Sequence, residues 1–177
     1  KDNKMKSITF EQFCNAEFNL FKPNPIIKNP INSFVIADPS VLTPDISHDG
    51  KWHLFCHTFM GVYRYESVDG INFKNTGKIV NRAMRPNINY IDGKYYLFFE
   101  RTRPIIFNLL SLIGAKWESE IYCVESTDFS TWSKPYPVIR QTRDYEEYKK
   151  GYAISNPFLL DTEKGYRMYY SCGQTFI

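Results

Sequence analysis

Three stretches of the chain share one layout of apolar and polar positions: a polar residue before proline, a short apolar run, a turn with glycine, and a strand dense in aromatic residues. The first runs Phe34-Val-Ile-Ala-Asp-Pro-Ser-Val-Leu42, then a loop ending at Gly50, then Lys51-Trp-His-Leu-Phe-Cys-His-Thr-Phe59. In the second, Arg85-Pro86 leads into Asn87-Ile-Asn-Tyr-Ile91, Asp92-Gly93 and Lys94-Tyr-Tyr-Leu-Phe-Phe-Glu-Arg101. In the third, Asn156-Pro157 leads into Phe158-Leu-Leu160, Lys164-Gly165 and Tyr166-Arg-Met-Tyr-Tyr-Ser-Cys172. Short β-prone runs bounded by Gly, Asp and Asn predict antiparallel hairpins, and proline holds each approach extended while offering no N–H of its own. The first inner strand is expected over Ser40 to Thr43, with Asp38 at its mouth end.

The first two units continue alike. Gly61 to Phe73 and Glu120 to Trp132 each give a further strand, a Glu-Ser-x-Asp turn, and an aromatic residue opening an outer strand. The proline spacings are 47 (86 minus 39) and 71 (157 minus 86), in the range of a four-stranded propeller blade without and with insertions. The chain therefore reads as all-β, a β-propeller run of about two and a half blades. Residues 1–33 form an irregular lead-in, part of which can pair with a last blade; blade 1 covers about 34–83, blade 2 about 84–150, and the start of blade 3 about 151–177. A closed propeller needs at least four blades, and a half-ring leaves apolar edges open. The remainder is expected from further sequence or from a second chain.

Composition narrows the partners. The 177 residues, 43% hydrophobic and 17% aromatic, suffice for the core of one ordinary domain. The net charge of +3 has no basic stripe behind it, since Lys149-Lys150 follow Asp144, Glu146 and Glu147; nucleic acid is not an expected partner. The apolar run Ile105 to Ile113 is too short to span a membrane, and with no secretory signal legible the compartment stays open. Cys14, Cys56, Cys123 and Cys172 lack C-x-x-C spacing, and the last three fall in strands, where free buried thiols are ordinary.

Antiparallel pairing sets the start of each inner strand beside the end of the next. Asp38 is thereby expected near His57 and Thr58, Arg85 near Glu100 and Arg101, and Asn156 near Cys172 and Gly173, which together describe a polar funnel. The insertion Thr102 to Gly114 should emerge on that face, as a functional loop or an apolar plug, and Arg140 to Tyr152 should approach its rim. Asp38 has two readings: a substrate contact at a polar mouth, or a cap on a turn. Trp52 and Trp132 read as packing residues, with Trp117, just past the insertion, the one to watch as a sugar platform.

Ala37-Asp-Pro-Ser-Val41, Gly93-Lys-Tyr-Tyr-Leu-Phe-Phe99 and Glu66-Ser-Val-Asp-Gly-Ile-Asn-Phe73 resemble the five-bladed propeller glycoside hydrolases of the furanosidase superfamily, families 43 and 32. The resemblance implies a hydrolase of a furanoside- or xyloside-type glycan. It makes Asp38 the general base of an inverting reaction or the nucleophile of a retaining one, with the acid Glu beyond Ile177. It also implies a further Asp in a later Asp-Pro, where this sequence has Ser155-Asn156-Pro157. An amide can bond a sugar hydroxyl but supplies no negative charge, so a carbohydrate-binding propeller that has lost catalysis is the alternative. His57, Arg85, Glu100, Arg101 and Asn156 are the candidate substrate-binding residues, Glu100 reading as an ion-paired carboxylate rather than a proton donor. No metal ligand set or cofactor is expected, although the resemblance leaves room for one cation in the central channel.

Overall fold

The structure, a computed structural model, describes residues 8–19, 26–30, 33–104, 118–142, 147–148 and 151–172. Blade 1 is a four-stranded antiparallel meander of β1 (Ile36–Leu42), β2 (Trp52–Thr58), β3 (Gly61–Ser67) and β4 (Lys74–Val80). Blade 2 repeats it with β5 (Ala83–Ile91), β6 (Lys94–Thr102), β7 (Ser119–Ser126) and β8 (Tyr136–Ile139). A two-residue ladder of β9 (Glu147–Tyr148) and β10 (Gly151–Tyr152) precedes the hairpin of β11 (Ile154–Thr162) and β12 (Gly165–Cys172). The inner strands pack in succession, β1 on β5 and β5 on β11, as in a partial propeller. Among the described residues no helix is long and apolar enough to cross a membrane. Thr102, expected to open the insertion, ends β6, and the insertion beyond Pro104, Trp117, Gly173 and residues 143–146 and 149–150 of the stretch expected at the rim lie outside the described residues.

Alternation along β6 explains how the blades join. Tyr95, Leu97 and Phe99 are completely buried on one face, in a core with Leu42, Phe55 and Val62 of blade 1 and Phe129 of blade 2. Phe98 and Glu100 consequently occupy the other face. Each fully buried side chain of this size contributes about 1.5–3 kcal/mol, so packing rather than hydrogen bonding holds the two blades together.

The lead-in contains a short helix, α1 (Phe10–Cys14), where irregular chain was expected. Its cause is a capping box: the Thr9 hydroxyl accepts from the Gln12 N–H at 3.1 Å, and the Gln12 side chain accepts from the Thr9 N–H at 2.8 Å. The Glu-Ser-x-Asp segments are self-capped turns. Asp69 Oδ1 accepts from the Ile71 and Asn72 N–H groups at 2.9 and 2.8 Å, and Asp128 Oδ1 from Ser130 and Thr131 at 2.8 and 3.1 Å. Both carboxyls are held below the usual range by these backbone donors. Trp132 does not open β8, which begins at Tyr136; it packs edge-on against Phe55 and donates its Nε1–H to the Phe129 carbonyl.

The X-Pro pairs lie inside the inner strands rather than ahead of them. Asp38 and Pro39 together face one residue of β2, as Arg85 and Pro86 do on β6 and Asn156 and Pro157 on β12. The three are β-bulges, where a proline costs the ladder no donor. Asp38, Arg85 and Asn156 share one left-handed backbone, with φ of 49°, 50° and 51°. The position two residues on then ties each blade to the next. Ser40 Oγ accepts from the Ile88 N–H at 3.0 Å, and Asn87 Oδ1 accepts from the Leu159 N–H at 3.0 Å. One recurring side-chain bond thus sets the spacing of successive inner strands.

Candidate functional site at the bulged strand ends

The three bulges put three residue pairs in one structural position. In each, the bulge residue reaches the residue paired one step before it across the hairpin: Asp38 to His57, Arg85 to Glu100, Asn156 to Ser171. Left-handed φ is uncommon outside glycine; Asp and Asn tolerate it, whereas Arg is held there by its surroundings. Backbone strain of this kind, repeated three times at one end of the sheets, marks a place where side-chain direction matters.

Asp38 is the open member, its side chain 50% exposed. Its Oδ2 lies 3.1 Å from Nδ1 of buried His57 and 3.9 Å from Nε of Arg85. The backbone N–H of Arg85 also approaches His57 Nδ1, at 3.4 Å. One ring nitrogen cannot donate to a carboxylate and accept from an amide in the same tautomer. The carboxylate contact is shorter and charge-assisted, which assigns the Nδ1 hydrogen to Asp38. Burial lowers the His57 pKa; Asp38 opposes the shift, and the Arg85 charge reinforces it. A neutral imidazole therefore aims one N–H at the carboxylate.

Arg85 links Asp38 to Glu100, donating through Nη1 to Glu100 Oε2. Glu100 is completely buried and spends that oxygen on the guanidinium. It anchors Arg85, and Asp38 and Arg85 are the more exposed members of the group. The formal charges of Asp38, Arg85 and Glu100 sum to −1. One exposed carboxylate oxygen, braced by a neutral N–H donor and a guanidinium, is an arrangement suited to accept a proton from water or to attack an electrophilic carbon.

Asn156 stands at the equivalent bulge of the third unit, exposed, with Nδ2 donating to Ser171 Oγ at 3.0 Å. Its expected neighbour Cys172 instead faces Ile154, since the register running back from the Thr162–Gly165 turn sets Asn156 beside Ser171 and the bulge then moves Ser155 and Ile154 one step along β12. Arg101 does not join the group: one residue beyond Glu100 on β6, it points to the opposite face. There its guanidinium lies over the Tyr122 ring, 5.1 Å from the centroid. The sequence reading missed Ser40, Asn87 and Ser171, although the fixed offset of the first two from X-Pro was a legible signal. Among the described residues no three His, Cys, Asp or Glu side chains converge to hold a metal ion, so they offer no such cage for a channel cation.

No family model and no curated protein matches the sequence. Solved structures do match the fold. A family-43 endo-arabinanase from Bacillus licheniformis superposes with a TM-score of 0.54 at 19% identity, over 77% of this chain and 46% of that one. A family-117 glycoside hydrolase from the marine bacterium Zobellia galactanivorans gives 0.56 at 17% identity, over 76% and 47%. A xylan β-1,4-xylosidase from Bacillus halodurans gives 0.52 at 20%, over 81% and 26%. The chain thus has the β-propeller fold of these glycoside hydrolases and spans less than half the length of each.

Proposed function

We propose that this chain is the part of a glycoside hydrolase ring that carries Asp38 as general base or nucleophile, acting on a furanoside- or xyloside-type glycan. The observation that supports the reading is the half-exposed Asp38 carboxylate on a left-handed bulge, braced by His57 Nδ1 at 3.1 Å and by Arg85. Glycosidic cleavage needs a second carboxyl, the acid, about 5 Å away for retention or about 6.5–9.5 Å for inversion. Glu100, buried against Arg85, is not that acid, so the acid belongs to the rest of the ring. In the inverting course Asp38 takes a proton from the water that attacks the anomeric carbon, while the acid protonates the departing oxygen. In the retaining course Asp38 bonds to that carbon, and water later displaces it.

The arabinanase and xylosidase neighbours make aryl arabinofuranosides and xylosides the first substrates to try, with fructosides beside them. Release of the aryl group by the intact protein, lost in Asp38→Asn with folding unchanged, is the expected result; undiminished turnover in that variant removes Asp38 from the mechanism. Asn156 favours a second reading, a propeller that holds carbohydrate without cleaving it. In that case the unaltered protein binds the corresponding oligosaccharides and releases no product.

A further inference from the structure

On the face of β6 opposite Glu100, a cavity of about 200 Å³ opens beside Arg82, Arg101, Glu120, Tyr122 and Gln141. It is separate from the Asp38 group yet lies at the same end of blade 2, at the ends of β6 and β7. Its charges divide unevenly. Arg103 is ion-paired with Glu118, which among the described residues leaves Arg82 and Arg101 against Glu120, a formal surplus of one positive charge.

The arginines are not spent alike. Arg82 gives Nε and Nη2 to the Thr102 carbonyl, at 3.0 and 2.8 Å, so its fork is occupied by a neutral acceptor and, among the described residues, it has no ion pair. Among the described residues Arg101 Nη1 is buried without a hydrogen-bond partner, and Glu120, directly across the ladder, forms no ion pair with it. A buried donor left unmade costs about 1–3 kcal/mol, more when it is charged. The Tyr122 ring lies beneath the guanidinium, 5.1 Å from centroid to Cζ, and its face offers no conventional acceptor. Burial and the nearby Arg82 charge lower the Arg101 pKa, against a smaller opposing effect of Tyr122.

We infer that this cavity is a subsite for a carboxylate-bearing sugar unit, a uronate, with Arg101 as its principal donor and Arg82 supplying field. A planar carboxylate matches the guanidinium fork, and the cavity holds the equivalent of roughly six or seven waters, the scale of one sugar unit rather than an oligosaccharide. The inference stands on this cavity alone, whatever reaction Asp38 performs.

Calorimetric titration of the full chain with glucuronate, glucose, glucose 6-sulfate and glucose 6-phosphate tests it. Glucuronate should bind at least about tenfold more tightly than glucose, and Arg101→Gln should abolish that preference. Arg101→Lys, which keeps charge and stem and guards against loss of folding, should retain part of it. The preference should weaken as salt rises. Equal binding of glucose and glucuronate, or a preference untouched in Arg101→Gln, overturns the subsite; tighter binding of the sulfate or phosphate ester overturns the carboxylate assignment.

Discussion

The two ends of β2 bear the same residue types in opposite circumstances. At the bulged end, His57 meets Asp38 and Arg85. At the other, His53 Nε2 lies 2.8 Å from Asp49 Oδ1, and its Nδ1 accepts from Arg64 Nη1 at 3.1 Å. Phe129 closes over this second group, 4.4 Å from the His53 ring and 5.1 Å from the Arg64 guanidinium. His53 is completely buried with both ring nitrogens engaged, and Asp49 also receives the Lys51 N–H. One cluster is closed and pins blade 1 to blade 2; the other leaves a carboxylate half open on strained backbone. An Asp-His-Arg grouping therefore does not by itself mark a site. A strained backbone with an incompletely satisfied acid does.

The sharpest way to break this contrast is to neutralise each acid in turn. In the intact protein, Asp38→Asn should lower kcat/KM on the responsive aryl glycoside at least about 100-fold, within the range of a lost general base, and leave the melting temperature unchanged. Asp49→Asn should do the reverse, lowering the melting temperature while turnover persists. If both variants act on stability alone, the distinction between the two ends fails.

Next in size is the brace behind Asp38. Breaking a buried ion pair by removing one partner costs about 3–5 kcal/mol. Arg85 retains some exposure, so Glu100→Gln should fall near the low end, about 3 kcal/mol in a urea titration. The same variant should reduce kcat more than it raises KM, because Arg85 loses its anchor. A stability loss without any kinetic change would make Glu100 a packing residue alone. His53→Ala should cost about 2 kcal/mol through the cavity and the stranded Arg64 donor, with turnover unaffected.

These outcomes turn on features legible in the sequence to different degrees. The blade repeat was readable because X-Pro, the glycine turn and the aromatic strand recur at fixed offsets. The bulge was not, since Asp, Arg and Asn share no intrinsic preference that includes Arg; the left-handed turn is imposed by pairing two residues against one. Asn156 reaches Ser171 because the hairpin register is set at the Thr162–Gly165 turn, one residue away from the expected pairing with Cys172. Arg101 was grouped with Arg85 by the antiparallel pairing of strand ends, yet the two-residue period of a strand sends Glu100 and Arg101 to opposite faces. The closed His53 cluster escaped notice because Asp49 sits in the turn before β2, Arg64 reaches His53 diagonally from β3, and the ring that covers them, Phe129, comes from the next blade.

The smallest expected effect concerns acid. Burial lowers the His53 pKa from 6.5, more than the Asp49 contact restores, and lowers that of His57 likewise, with the Arg85 charge adding to it. Asp49 moves the same way: burial alone would raise it, but the His53 bond and charge and the Lys51 N–H outweigh that. A histidine with a depressed folded pKa takes up protons first in the unfolded chain, so ∂ΔG/∂pH is positive through that interval. Stability contributed by the neutral rings is complete above pH 6.5 and is lost as pH falls toward the folded values. Urea midpoints should accordingly be level above neutrality and decline below it. His53→Gln, which fills the site without titrating, should remove one histidine's share of that slope, and His57→Gln the other's. Equal slopes in all three proteins would mean that neither ring is held neutral, and the two ends of β2 would then differ in exposure only.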